Sequence, residues 1–184
     1  ARFGMFIHYG VFSQFKTGEW CMSYQDYTKA EYEEYAKNFN PKEGCADEWC
    51  ALAKKAGAKY VVLTTRHHEG FSLWNSKVNP YNSYNVCGRD IVKEFTDACR
   101  KYGLKIGIWH PLTGYWYGFD PKGETAKEFS KYLTQTEDGR LVVKPTAEDM
   151  FGYHNAMYSY LKEAGVDFVK VDNQASASSK YDNI

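Results

Sequence analysis

An α/β fold built on parallel strands is what this sequence predicts, and three observations predict it. Four short apolar runs each end in polar residues: Phe3 to Tyr9 in His8 and Gly10, Tyr60 to Thr65 in Arg66, His67 and His68, Leu104 to Trp109 in His110, and Phe168 to Val171 in Asp172 and Asn173. Helical periodicity precedes the last three runs. Each of those helices runs into a glycine, Gly57, Gly103 or Gly165, shortly before its strand, which is the natural way to stop a helix.

The first helix, Asp47 to Ala56, carries Trp49, Leu52, Ala53 and Ala56 at helical spacing. The second covers Arg89 to Tyr102. The third, from about Thr146 to Ala164, presents Met150, Tyr153, Met157, Tyr160 and Leu161. Strands alternating with such helices imply right-handed βαβ crossovers and a parallel sheet, and sheets of that kind place their sites at the strand C-termini. Neither a glycine-rich dinucleotide fingerprint nor a P-loop follows any of the runs, which favours a barrel over an open doubly wound sheet. A complete (β/α)8 TIM barrel has eight strands in about 250 residues, whereas four strands of one type occupy these 184 residues. The expectation is one catalytic-type domain over 1–184 that holds the first four βα units, a half barrel incomplete at its C-terminus. Residues 120 to 145, with Asp120-Pro121-Lys122-Gly123 and Glu137-Asp138-Gly139, read as a long loop.

Composition narrows the function classes. With 43% hydrophobic and 25% charged residues the chain suits a globular domain with a substantial core. Basic and acidic residues number 23 each, so no net field draws nucleic acid or an anionic membrane. No apolar run reaches membrane-spanning length and no signal peptide is visible, so localisation is weakly constrained. Aromatic residues make up 17%, and flat rings with polar edges suit the C–H faces of a sugar as well as they suit a core. The five cysteines, Cys21, Cys45, Cys50, Cys87 and Cys99, include no C-x-x-C and read as free thiols. No cofactor is expected.

Chemistry concentrates at the strand ends. A neutral sugar is held by directional donors and acceptors together with a ring to stack on, and His, Glu and Trp in these positions supply all three. Metal binding by the adjacent pair His67-His68 is disfavoured, because neighbouring strand residues face opposite ways unless the strand has ended. No metal site is therefore expected.

The segments RFGMFIHYG, GEW at Gly18 to Trp20, YVVLTTRHHEGFSLWNSKV and GRDIV resemble glycoside hydrolase family 29, the α-L-fucosidases, in order from Arg2 to about Ile108. The resemblance implies sugar contacts from His8, Glu19, Trp20, His67 and His68, with Trp74 at the tryptophan of the L-W-x-S-K segment. From Trp109 to about Ser176 the segments WHPLTGYWYGFDPKGE and YSYLKEAGVDFVKVDNQ are similar to family 36, of the α-galactosidase and raffinose-synthase type. That second likeness implies Lys170 as a ligand of sugar hydroxyls, with Trp109, His110 and Trp116 on the far wall where fucosidases differ.

Both resemblances converge on Asp172 as the nucleophile of a retaining glycosidase, at the end of the fourth strand. Capping of a following helix is the alternative role for it. Such an enzyme needs a second carboxyl group about 5 Å away, and both families take it from a later strand. Glu19 is the in-chain carboxylate best placed to substitute, and Glu69 is expected to be structural. Members of the fucosidase family are often exported or lysosomal. The implied function is hydrolysis of terminal α-L-fucosides with weak or absent turnover by this chain; an α-galactosidase-like hydrolase and a silent sugar-binding module are the alternatives. The expected partner is a fucosyl or galactosyl glycoside. A homodimer that closes two half barrels into one ring would answer the missing strands.

Overall fold

A computed structural model of the chain describes residues 3–76, 80–109, 130–135, 137 and 141–171. Four strands, β1 (Met5–Ile7), β2 (Tyr60–Thr64), β3 (Lys105–Trp109) and β6 (Phe168–Lys170), form one parallel sheet in the order β1-β2-β3-β6. Among the described residues the sheet is open, with β1 and β6 at its edges. All four apolar runs read from the sequence are therefore strands, trimmed to the residues that find a ladder partner. Phe3 to Tyr9 shortens most, because an edge strand is paired on one side only and β1 makes three register pairs, Met5 with Val61, Phe6 with Val62 and Ile7 with Leu63.

The strand period of two sorts side chains onto two faces. Val61, Leu63, Ile106 and Ile108 lie on one face and are all but fully buried. Val61, Leu63 and Ile106 belong to the core shared with α3 (Cys45–Lys55) and α5 (Ile91–Lys101), whose Cys50, Ala53, Phe95 and Cys99 are equally inaccessible. The helices start and stop where local chemistry says they should. Asp90 caps α5 by accepting from the Lys93 N–H at 2.8 Å, and its other oxygen accepts from the Asn75 N–H at 3.0 Å, tying the loop after β2 to the helix. Asp47 and Glu48 open α3 while Lys54 and Lys55 close it, each charge at the favourable end of the helix dipole.

The three predicted glycine exits have one shared geometry. Gly57, Gly103 and Gly165 take positive φ of 86°, 63° and 97°. The residue after each donates back five positions, Ala58 to Ala53, Leu104 to Cys99 and Val166 to Leu161 at 2.8–3.0 Å, closing the helix with a Schellman turn. The same exit thus aims the chain into β2, β3 and β6.

Several elements escape the sequence reading. Short helices α1 (Cys21–Tyr24), α2 (Lys29–Ala36) and α4 (Ser83–Cys87) fill the βα connections, α2 starting from a capping box in which Thr28 and Glu31 satisfy each other's backbone. The segment 120–145, read as a loop, contains an antiparallel pair, β4 (Leu133–Gln135) with β5 (Leu141–Val143). Helix α6 (Ala147–Glu163) follows, with Thr146 accepting from the Asp149 N–H at 3.1 Å.

On the opposite face of the sheet the register aligns Phe6, Val62, Gly107 and Phe168 in one row. Phe6 and Phe168 remain 39% and 37% exposed there. The Phe168 ring leans over Gly107, whose missing side chain makes room for it.

Leu63 is fully buried at the centre of the packed face. We expect Leu63→Ala to lower stability by about 2–5 kcal/mol, read as a drop in the urea midpoint with unchanged m-value; a shift below about 1 kcal/mol would place the core elsewhere.

Candidate active site

Two buried threonines bring the strand ends together. Thr64 Oγ1 accepts from the Tyr9 N–H at 2.9 Å and donates to the Tyr9 carbonyl at 3.0 Å, holding the end of β1 to β2. Thr65 Oγ1 donates to the Trp109 carbonyl at 3.3 Å, holding β2 to the end of β3. Both sites are inaccessible to water, where an unmade bond would cost about 1–3 kcal/mol. His8, the residues after Thr65 and Trp109 are thereby set side by side.

The strand has ended by the time the chain reaches the histidine pair, so the two-faced alternation no longer applies. A turn closed by the Gly70 N–H donating to the His67 carbonyl at 3.0 Å, with Arg66 Nε donating to the Gly70 carbonyl at 2.9 Å, carries both imidazoles to one side. Their ring centres lie 4.9 Å apart and nearly perpendicular. Trp109 stacks on His67 at 4.8 Å and meets the edge of His68 at 5.6 Å. Trp20 stacks on His68 at 4.7 Å and meets His67 edge-on at 5.5 Å. The histidine pair is thus walled by two indoles.

His8 joins from β1, its ring 6.1 Å from that of His67 and stacked on Phe6 at 4.5 Å. Glu19 comes from the turn before α1, and one ligand atom from each of His8, Glu19 and His67 lies within 4.8 Å of the other two. Lys170 reaches the same face less directly, with Nζ 5.6 Å from the Phe6 ring centre. Among the described residues the cluster therefore gathers His8, Glu19, Trp20, His67, His68 and Trp109, with Lys170 at its margin. Trp74 packs against the hydrophobic core. His110, Trp116 and Asp172 lie outside the described residues.

Glu69 is a site feature the motif alone understated. It is buried beneath the cluster, with Oε2 3.9 Å from His67 Nδ1. A side chain on Gly10 would come within 2.9 Å of Glu69 Oε1 and 2.6 Å of Phe12, so the carboxyl or the Phe12 ring would have to shift to admit one. Burial pushes the Glu69 carboxyl up to about 8; its own backbone N–H and the Arg66 charge pull weakly the other way. At neutral pH and below it is held mainly as the uncharged acid. The signal in the sequence was a carboxylate directly after two histidines and before G-F, where the chain turns back into the core.

Comparison with known proteins bears directly on this arrangement. Residues 1–175 match the family model described as Alpha-L-fucosidase, a span that includes the segment similar to the galactosidase type. The human tissue α-L-fucosidase is 39% identical over 135 residues, covering 64% of this chain and 29% of that protein. Among solved structures, α-L-fucosidase isoenzyme 1 from Paenibacillus thiaminolyticus superposes with a TM-score of 0.71 at 30% identity, over 93% of this chain and 40% of the other. An α-L-fucosidase from Bacteroides thetaiotaomicron, trapped as a covalent intermediate with 2-fluoro-fucosyl fluoride, gives 0.68 at 25% identity, over 93% of this chain and 39% of the other. The chain spans less than a third of the length of the curated relatives and about two fifths of these solved ones.

Glu69 makes a pH-dependent contribution to stability. Its carboxyl ordinarily titrates near 4.5 and in the fold near 8, so between those values the folded chain binds more protons than the unfolded one. Stability from this group falls as pH rises through that window, by at most about 1.4 kcal/mol per pH unit. Glu69→Gln, an uncharged replacement of the same shape, should flatten the urea-measured stability between pH 5 and 8 relative to the parent. An identical slope in parent and variant would mean that Glu69 ionises normally.

Proposed function

Because the chain belongs to the α-L-fucosidase family, we propose that it forms the sugar-holding part of a retaining glycoside hydrolase that acts on terminal α-L-fucose. The observation that carries this reading is the convergence of His8, Glu19 and His67, with His68 beside His67 and Trp20 and Trp109 packed on the histidine pair. A monosaccharide presents hydroxyl groups around its rim and C–H groups on its faces. Imidazoles and a carboxylate match the rim, and indoles match a face. Lys170 adds a further donor at the margin, and Trp74 supports the wall from the core side.

In this proposal the four-stranded sheet is the first half of a (β/α)8 barrel and 1–184 is one domain. The row of Phe6, Val62, Gly107 and Phe168 would line its interior, and the edges of β1 and β6 would meet the remaining strands. A second copy of the chain could supply such strands through two-fold symmetry. His110 and Trp116 would complete the far wall of the pocket.

In this proposal, which takes the role from the family resemblance, Asp172 makes the attack. Its carboxylate adds to the anomeric carbon, expels the leaving oxygen and forms a glycosyl ester; a second carboxyl group protonates that oxygen, then takes a proton from the water that cleaves the ester. Two inversions leave the configuration retained. The covalent intermediate trapped in the Bacteroides relative supports the retaining course. Asp172 follows Lys170 at the spacing that returns to the same face of a strand. We place the acid/base outside this chain, and Glu19 serves the substrate rather than the leaving group.

The test is hydrolysis of nitrophenyl α-L-fucoside and α-D-galactoside by the chain and by Asp172→Ala, alongside a thermal-shift series with L-fucose. We expect L-fucose to raise Tm, as any ligand of the folded state does, and turnover to be weak and dependent on Asp172. Equal turnover by the variant would remove Asp172 as nucleophile. A Tm raised by galactose and not by fucose would overturn the substrate.

A further inference from the structure

We propose that His8, Glu19 and His67 bind a divalent transition-metal ion of the zinc type, which occupies the pocket in competition with the sugar. The metal arm of this inference stands on geometry alone; the competition arm rests on the sugar reading above. Two imidazoles and one carboxylate are the donor set of an open zinc site, with a fourth position left for water or a hydroxyl group. Imidazole donors favour zinc, copper, nickel and cobalt over magnesium and calcium, which prefer oxygen alone.

The distances are near those required. Zinc sits about 2.0–2.2 Å from nitrogen and oxygen donors, which places tetrahedral donors about 3.3–3.6 Å from one another. In the structure the three donor atoms lie within 4.8 Å of each other, so the widest side must close by little more than an ångström. The residues differ in their freedom to do so. His67 is buried and fixed by Trp109 on its face and by Trp20 and Phe12 at its edges. His8 is exposed and Glu19 half-buried, so their side chains can move to meet it.

A second feature supports the site. Metal-bound histidines commonly turn their other ring nitrogen to a carboxyl group that orients the ring. Glu69 Oε2 lies 3.9 Å from His67 Nδ1 on the buried side of the imidazole, beyond hydrogen-bond distance but near enough to close onto Nδ1 when the ring binds an ion. With Nδ1 on the Glu69 side, the ring would coordinate the ion through Nε2. The adjacent-pair objection to a metal does not apply here, because the set draws on three separate elements and does not use His68.

Isothermal titration of the chain with Zn2+, and the visible spectrum of the chain with Co2+, test the proposal. We expect one equivalent to bind and Co2+ to give the intense bands of a four-coordinate site. His8→Ala and Glu19→Gln, both at accessible positions, should each weaken Zn2+ binding at least tenfold with unchanged far-ultraviolet circular dichroism. Cys87→Ser, which alters the most accessible thiol, should leave it unchanged. No binding, or binding indifferent to His8 and Glu19 and lost in Cys87→Ser, overturns the site. Excess L-fucose should weaken the apparent Zn2+ affinity. Zn2+ binding that requires His8 and Glu19 and ignores L-fucose supports the metal site and overturns the shared pocket.

Discussion

The packed face of the parallel sheet is the constraint on which the rest depends. Val61 and Leu63 of β2 and Ile106 of β3 are all but inaccessible to water and share one core with Phe95 and Cys99 of α5 and Cys50 and Ala53 of α3. A slip of one residue in any strand would turn this row to the opposite face and bring its neighbours into the core. Register is therefore held by apolar burial. Since the strands are parallel and in register, their C-terminal ends lie along one edge of the layer, and that is where His8, His67 and Trp109 stand.

Polar satisfaction then refines what burial sets up. Thr64 and Thr65 occupy the last positions of the β-branched run, and each spends its hydroxyl on a neighbouring strand end. Aliphatic residues of similar shape would fill the same volume without joining the strand ends. Glu69 shows the converse case. Its carboxyl is placed where a charge is poorly tolerated, and the fold answers by holding the proton to about pH 8. The carboxyl beneath the histidine cluster is then uncharged under neutral and acidic conditions.

Legibility varied with the range of the interactions involved. Helices α3, α5 and α6 were readable because amphipathic spacing and a glycine exit are local properties. The four main strands were readable because a buried parallel strand is a continuous apolar run bounded by polar residues. The β4–β5 pair was not, since Leu133–Gln135 and Leu141–Val143 are three residues each, carry no sustained alternation, and are defined by pairing with each other. Helices α1 and α4 are one turn long and leave no periodicity to detect.

By itself the sequence determined the alternation of helix and strand, the polar character of the strand ends, and through its motifs the family. These follow from properties that each residue carries or shares with neighbours a few positions away. Only the tertiary structure decided that His8, Glu19 and His67, spread over some sixty positions, meet within 4.8 Å while the adjacent His68 turns to stack on Trp20. It also decided that Glu69 lies buried against His67 and Gly10. Distance in space and loss of water are set by the whole packed chain, and neither is written in any segment of it.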